Sequence, residues 1–338
     1  MIIEMTNAVY ATKLLEQLDI NGVNADDLRL KAGITASEIE FPESLLQSKK
    51  YHRLVELALQ QPETPYDLGF RVGEGTQLLD HGIMGYAILN SHDMHQCMQR
   101  YIRYLPLTGP VMDVSMQRQE KHMALRLTPL VGQWNINVHT LRYFTQEWLA
   151  SLDMWGNLID IGRGLFTEVK VAFAADGHEN LYRRHLHCPI SFNHSVTEAL
   201  FPEKYLTLPF STGNDSIGDI CEAQCQRLLA DLEHHQGWSA QVYQKLSRSP
   251  KIPNITKMAD LLHISPRTLR RRLEQDGKTY QQLVVDFRMA MARQYLAETK
   301  LPVNEIADLI DYSNPANFYR TFRQIEQMTP QNYRSQYR

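Results

Sequence analysis

Cysteine is scarce. Cys97, Cys188, Cys221 and Cys225 are all that 338 residues hold, too few and too scattered for a disulfide framework. Long apolar runs are missing as well. Asp, Arg, Gln or His interrupts every hydrophobic stretch well short of the roughly 18–20 residues a membrane span requires, so no membrane is expected among the partners. Met1 to Lys13 lack the basic start, apolar block and small-residue cleavage site of a secretory leader, and the expected location is the cytoplasm. Glycine and proline, at 17 and 15 residues, are neither enriched nor periodic, which excludes collagen-like and low-complexity chains. What remains is a globular composition, 43% apolar, sufficient for real cores in a length that suits two domains.

The net charge of −3 conceals an asymmetry. Residues 251–338 carry four Lys and ten Arg against nine acidic groups, a balance of +5, which leaves −8 on the first 250. A short basic tail and a long acidic front suggest that only the tail meets a polyanion.

In the front part, Ala8–Leu18, Leu45–Leu59 and Met94–Leu105 space their apolar residues at three and four, as helices do. Val111, Val114 and Met116, then Met123, Leu125 and Leu127, lie in two short runs joined by the polar stretch Gln117–His122, and the alternation of Met123-Ala-Leu-Arg-Leu-Thr predicts an antiparallel strand pair. Ile136–Trp155 returns to helical spacing, Glu168–Ala174 reads as a strand, and Pro189-Ile-Ser-Phe as a short further one. A helix from Ile217 to about His234 follows, and Pro250-Lys-Ile-Pro253 marks a break. The expected fold is therefore an α+β front domain, helix-rich with a small antiparallel sheet, over residues 1–208. A helical connector and linker over 209–252 leads to an all-α domain over 253–338.

The all-α tail repeats itself. Met258-Ala-Asp-Leu-Leu-His-Ile-Ser265 returns as Ile306-Ala-Asp-Leu-Ile-Asp-Tyr-Ser313, and Leu269-x-Arg271-x-Leu273 as Phe318-x-Arg320-x-Phe322. Each copy is a short apolar helix, a turn and a second helix with a start signal: Ser265 before Pro266, and Ser313 or Asn314 before Pro315. This is the pattern of a helix-turn-helix, whose second helix enters the major groove. On Pro266–Glu274, Leu269 and Leu273 face inward. Arg267, Thr268, Arg270 and Arg271 are left outward, with Arg272 on a flank and Lys278 beyond the helix end as a phosphate contact. On the second copy Phe318 and Phe322 anchor the helix, leaving Pro315, Ala316, Asn317, Tyr319, Arg320 and Arg323 outward. An arginine fork suits guanine or phosphate, asparagine suits adenine, and an alanine methyl suits thymine. Either helix alone would read as a solvated face; two capped copies in a basic segment point to DNA.

Between the copies, Thr279–Ala297 places Tyr280, Leu283, Val284, Phe287, Met291 and Tyr295 along one stripe. Such a helix is roughly 27 Å long, enough to hold two reading helices about one DNA turn (~34 Å) apart.

These residues resemble the AraC/XylS family of bacterial transcription regulators. The match runs through Ala259-Asp-Leu-Leu-His-Ile-Ser-Pro-Arg-Thr-Leu-Arg-Arg-Arg-Leu273, Glu305-Ile-Ala-Asp-Leu-Ile310, Phe318-Tyr-Arg-Thr-Phe322 and Met328-Thr-Pro-Gln-Asn-Tyr-Arg334, and it covers residues 235–338. The resemblance implies double-stranded promoter DNA and RNA polymerase as partners, with activation the usual mode and repression open. Asp311 and Gln327 stand where the family pattern has glycine, so the approach to Thr329-Pro330 is expected to be shaped differently. The front part, through Asp67-Leu-Gly-Phe-Arg-Val-Gly73, His81-Gly-Ile-Met-Gly-Tyr-Ala-Ile-Leu-Asn-Ser91, Cys188-Pro-Ile-Ser-Phe192 and Phe201-Pro202, resembles the arabinose-binding-like domain of ornithine-utilisation and virulence regulators. That resemblance implies a small-molecule effector of unnamed identity and a homodimer; the sequence does not fix the dimer surface, for which the helix Ile217–His234 is one candidate seam. Tyr86, Tyr104, Trp134, Phe144 and Trp148 are candidate pocket aromatics, each also explicable as core.

Other chemistries fare worse. His185-Leu-His187-Cys188 and His92-Asp-Met-His95 with Cys97 invite a metal reading, but a spacing of two aims side chains together only on a strand, and the context of His185 is helical. Cys221 and Cys225 share a helix face and read as buried thiols. Gly73-Glu-Gly75 and Gly162-Arg-Gly164 lack a strand-loop-helix setting and read as turns, so no cofactor is expected. Neither a Ser-His-Asp set nor a carboxylate pair stands out, and no enzyme is expected. The rival reading is a tail that docks RNA or a protein partner; it lacks the stacking aromatics that single-stranded RNA demands.

Overall fold

In the computed structural model of the chain the described residues are 5–41, 44–109, 111–130, 136–210, 213–235, 237–249, 251–299, 301–312 and 314–337. The front unit opens with strand β1 (Met5–Asn7) and helices α1 (Ala8–Ile20) and α2 (Ala25–Lys31). It continues through β2 (Leu45–Gln47), α3 (Ser48–Leu59), α4 (Leu68–Gly75), α5 (Ile83–Leu89) and α6 (Met94–Tyr104). The hairpin β3 (Met112–Gln119) and β4 (His122–Pro129) precedes α7 (Val138–Asp153), β5 (Glu168–Lys170), α8 (Glu179–Leu186), β6 (Ile190–Ser191) and β7 (Thr197–Pro202). After α9 (Asp215–His235) the rest is helical: α10 (Trp238–Arg248), α11 (Ile255–Leu261), α12 (Pro266–Gln275), α13 (Tyr280–Glu298), α14 (Val303–Leu309), α15 (Pro315–Glu326) and α16 (Pro330–Tyr337).

The expected hairpin is present, with Val114 opposite Leu127 and Met116 opposite Leu125. It belongs to a five-stranded sheet in the order β3-β4-β7-β5-β6, antiparallel except for the β5/β6 edge. The central strand β7 escaped the sequence reading. Its first five residues, Thr197-Glu-Ala-Leu-Phe201, are all buried, and a strand covered on both faces loses the polar alternation that advertises it. The helix expected from Leu45 starts only at Ser48, because Leu45–Gln47 pairs with Met5–Asn7 and sends Leu46 into the core.

Two glycines of the Asp67–Gly73 motif are explained by packing. A Cβ on Gly69 would stand 2.3 Å from the Tyr143 carbonyl, and one on Gly73 2.3 Å from that of Glu147. Their absence lets α4 lie directly against α7. Gly73-Glu-Gly75 is thus the last turn of α4 and not a loop, while Gly162 and Gly164 do occupy turns with φ of 71° and 98°. His185 on α8 stacks on Phe70 (ring centroids 4.5 Å apart) and contacts Asp67 and Glu74 of the neighbouring segment.

The connector expected over 209–252 divides in two. Its first helix, α9, is fixed to the front unit: the buried Arg100 side chain on α6 donates to Glu222 Oε2 (2.9 Å) and to the carbonyls of Ala87 and Asn90, and Cys221 and Cys225 enter the front core. Its second helix, α10, packs Val242 and Leu246 into the tail's core with Leu269 and Leu273. The Ser239 amide donates to Asp276 at the end of α12 (2.7 Å). Pro253 is therefore not where the tail begins structurally.

The tail holds two separate cores. Met258, Ala259, Leu269, Leu273, Leu283 and Phe287 form one; Met289, Leu296, Ile306, Ala307, Phe318 and Phe322 form the other. Of the stripe expected along α13, Tyr280, Leu283, Val284 and Phe287 belong to the first core, Met291 packs against both and Tyr295 against the second, whose own α13 residues lie outside that stripe. Leu283, Phe287 and Ala290 serve the first core, whereas Met289, Ala292 and Leu296, on a face roughly 150° round the helix, serve the second. One helix is thus the shared wall of both units.

Candidate nucleic-acid interface and interior cavity

Each helix-turn-helix closes through a left-handed residue, His263 (φ 54°) between α11 and α12 and Asp311 (φ 59°) between α14 and α15. The two lie 48 positions apart, the period of the repeat. Asp311 does more than turn: its Oδ2 accepts from the Ile252 amide (2.6 Å), and its carbonyl from Arg288 Nη2 (2.8 Å). Gln327 takes φ 57° after α15, so the left-handed turn before Thr329-Pro330 is made without glycine.

Ser265 caps α12, accepting from the Thr268 amide (3.1 Å), with Pro266 at the first helical position. Leu269 and Leu273 are fully buried, and Arg267, Arg270 and Arg271 are exposed. Among the described residues no ion pair involves these three guanidinium groups. Thr268 is half-buried, its Oγ1 2.8 Å from Ser265 Oγ, so it belongs to the cap. Arg272 lies over the Trp238 ring (5.3 Å), which ties the flank of α12 to α10. Lys278 is exposed and pairs with Asp286 (3.2 Å).

On α15 the cap is Asn314, which accepts from the Ala316 amide; Ser313 lies outside the described residues. Phe318 and Phe322 are fully buried, while Ala316, Asn317, Arg320 and Arg323 are exposed and Pro315 is half-buried. Arg320 Nη2 donates to Asn317 Oδ1 (3.3 Å) on the exposed face. Tyr319 is half-buried, and its hydroxyl accepts from Gln331 of α16 (2.7 Å).

The front unit holds a cavity of about 110 Å³ where α1, α3, α6 and α7 meet the hairpin. Phe144, Glu147, Trp148 and Ser151, one face of α7, form its longest wall, with Tyr10, Tyr51, His81, Tyr101 and Trp155 around it. Trp148 Nε1 donates to the Tyr101 hydroxyl (3.0 Å), Tyr10 Oη lies 2.6 Å from His81 Nδ1, and Tyr51 Oη 3.2 Å from Tyr143 Oη. Burial lowers the His81 pKa to about 4 and raises that of Glu147 to about 8.

Of the candidate pocket aromatics, Phe144 and Trp148 line this cavity. Tyr86 does not; it is 47% exposed on α5. Tyr104 does not either, because its hydroxyl is turned to Glu222 Oε1 (3.1 Å) on α9. Trp134 lies outside the described residues. Glu147 was missed. Nothing in the sequence sets it apart: Arg142, Thr145, Gln146 and Ser151 share the stretch Leu141–Leu152, so a carboxylate there reads as part of the solvent side of the helix. Among the described residues no helix is long and apolar enough to cross a membrane, and no group of three or more His, Cys, Asp or Glu is placed to hold a metal ion.

Residues 22–210 match the family model described as the arabinose-binding domain of AraC transcription regulators, and residues 258–336 a helix-turn-helix domain model. The chain belongs to the AraC-type transcription regulators. Among relatives of this AraC-type chain, an ornithine utilization regulator of Pseudomonas aeruginosa is 29% identical over 98% of this chain and 96% of its own length. The regulator VqsM of the same organism is 24% identical over 80% and 84%. The crystal structure of the P. aeruginosa regulator CdpR aligns with 92% of this chain and 96% of that one, at 18% identity and a TM-score of 0.47. The matched units are those of a transcription regulator with a DNA-binding helix-turn-helix.

Proposed function

We propose that this AraC-type chain is a cytoplasmic, sequence-specific activator. It binds double-stranded promoter DNA through α12 and α15, meets RNA polymerase there, and responds to a small-molecule effector held beside Phe144 and Trp148. The observation that carries the DNA reading is the set of exposed guanidinium groups of Arg267, Arg270 and Arg271 on a helix anchored by two buried leucines. Asn317 and Arg320 repeat that arrangement on α15. Arg267, Arg270 and Arg271 read bases on one half-site, and Ala316, Asn317 and Arg320 on the next, one turn along the duplex. Arg272, Lys278 and Arg323 hold phosphates. With α10 in the tail's core, the DNA-binding unit begins near Trp238, and residues 1–208 form the sensing unit.

Coupling between the units has a physical route. A second cavity of about 110 Å³ separates the front unit from the tail, with Leu127, Thr128 and Leu141 on one side and Ile252, Phe287, Met291 and Asp311 on the other. Leu127 lines both cavities, and Leu141 is one turn before Phe144 on α7. An effector that shifts this wall biases the seat of Asp311, and hence the posture of α15. The active form is a homodimer through α9, where Ile217, Ile220 and Leu228 are 46%, 71% and 39% exposed along one helix face.

Footprinting of the full-length chain on its neighbouring promoters tests the reading. A protected duplex site spanning two successive major grooves is expected, with affinity falling steeply as salt rises. Equal affinity for single strands and no protected site would instead favour an RNA-binding or partner-docking role.

A further inference from the structure

Among the described residues the polar side chains on the wall of the front cavity are hydrogen-bonded, and Glu147 is the most weakly held. Thr6 donates to the Thr108 carbonyl (2.7 Å), Thr108 to that of Leu105 (2.9 Å), and Ser151 to that of Gly73 (3.4 Å). Tyr10 is paired with His81, Tyr101 with Trp148, and Tyr51 with Tyr143. Glu147 has only a long contact, 3.5 Å from the Tyr51 hydroxyl. Glu147 is half-buried and lines the cavity. Among the described residues no Lys or Arg lines this space, and Glu147 has no ion-pair partner.

A carboxyl without a counter-charge, inside a box of tyrosine, phenylalanine and tryptophan rings, is a receptor for one kind of guest. We propose that the effector is a compact apolar ammonium ion, whose N–H groups pair with Glu147 and whose charge and hydrocarbon body lie against Phe144, Trp148 and Trp155. This rests on the reading of the cavity as the effector site. The aromatic faces attract a desolvated cation, and the space is on the scale of one ring, since a cavity of roughly 150 Å³ holds benzene. An anionic guest meets no positive group. A neutral guest fills the space but leaves the carboxyl as it is.

The groups facing Glu147 are Tyr10 from α1, Tyr51 from α3, His81 from the turn before α5, and Tyr101 from α6. Burial raises the pKa of each tyrosine and lowers that of His81 to about 4. All four are neutral at pH 7, so Glu147, with its pKa near 8, is the group that titrates. It is protonated in the empty protein, and pairing with an ammonium ion expels its proton to solvent. Binding of the cation is therefore accompanied by proton release and tightens as pH rises from 6 to 8.

Isothermal titration calorimetry on the full-length protein with three isosteric probes decides the matter. Benzylamine is expected to bind about tenfold or more tightly than benzyl alcohol, and benzoate not measurably. The benzylamine heat should differ between phosphate and Tris buffers by the ionisation heat of the expelled proton. Glu147→Gln should bring benzylamine down to the affinity of benzyl alcohol while leaving the alcohol unchanged. Equal binding of amine and alcohol by the wild-type protein, or benzylamine binding without proton release, overturns the ammonium assignment but leaves an effector cavity. Binding of none of the three overturns both.

Discussion

His185 Nε2 lies 3.2 Å from Asp67 Oδ2, and its Nδ1 is 3.1 Å from Glu74 Oε1, so one imidazole fastens α8 to both ends of α4. Burial acts against the charge on each partner and is outweighed. The carboxylate bonds leave the His185 pKa raised, and the His185 and Arg71 bonds bring that of Asp67 down to about 2. A raised histidine stabilises fully below its ordinary pKa near 6.5, and loses that effect as pH climbs through the folded value. A lowered aspartate stabilises above its ordinary value and loses that effect as pH falls towards 2. His185→Gln should therefore cost about 1–3 kcal/mol between pH 4 and 6, with the difference from wild type shrinking at alkaline pH. Urea denaturation across that range checks this; a difference constant from pH 5 to 9 would contradict it.

Arg270 and Asn317 are expected to carry sequence information, and Lys278 only affinity. Arg270→Ala or Asn317→Ala should cost about 1–3 kcal/mol on the specific site and little on random duplex. Lys278→Ala should weaken both alike and flatten the salt dependence by about one ion. Quantitative band-shift titrations on both DNAs distinguish the two classes. Parallel losses for Arg270→Ala would remove it from the base contacts.

Asp311 combines a left-handed backbone with a side-chain bond to Ile252. Asp311→Gly keeps the turn and loses the bond, about 1 kcal/mol. Asp311→Ala loses the bond and adds about 1–2 kcal/mol of backbone strain. The expected order of thermal stability is Asp, then Gly, then Ala. Equal melting of the two variants would show that the backbone at 311 relaxes.

Ile220 on α9 is 71% exposed, more than Ile217 or Leu228. Ile220→Lys should leave the fold intact and dissociate the homodimer, which sedimentation velocity would read as a monomer. An unchanged sedimentation coefficient would place the dimer surface elsewhere.

The repeat, its caps and the outward arginines were legible because they are local. Helical spacing, a Ser-Pro start and a period of 48 residues act within a few turns of chain, and the helices from Pro266 and Pro315 follow from them. The front hairpin was legible through its alternation for the same reason. β7 was not, since burial on both faces removed the pattern, and neither was the split of α13 between two cores, because its facing elements come from distant segments.

What the amino-acid order determined alone was the class of the tail, two capped reading helices with basic faces. Tertiary structure alone decided that α10 joins the tail, that Asp311 holds Ile252, and that Tyr86 faces solvent while Phe144 faces a cavity. It also turned Glu147 from one charge on a helix into a carboxyl without a counter-ion. A residue's charge is written in the chain, but the dielectric around it and the partners within reach are set only when segments far apart in sequence pack together.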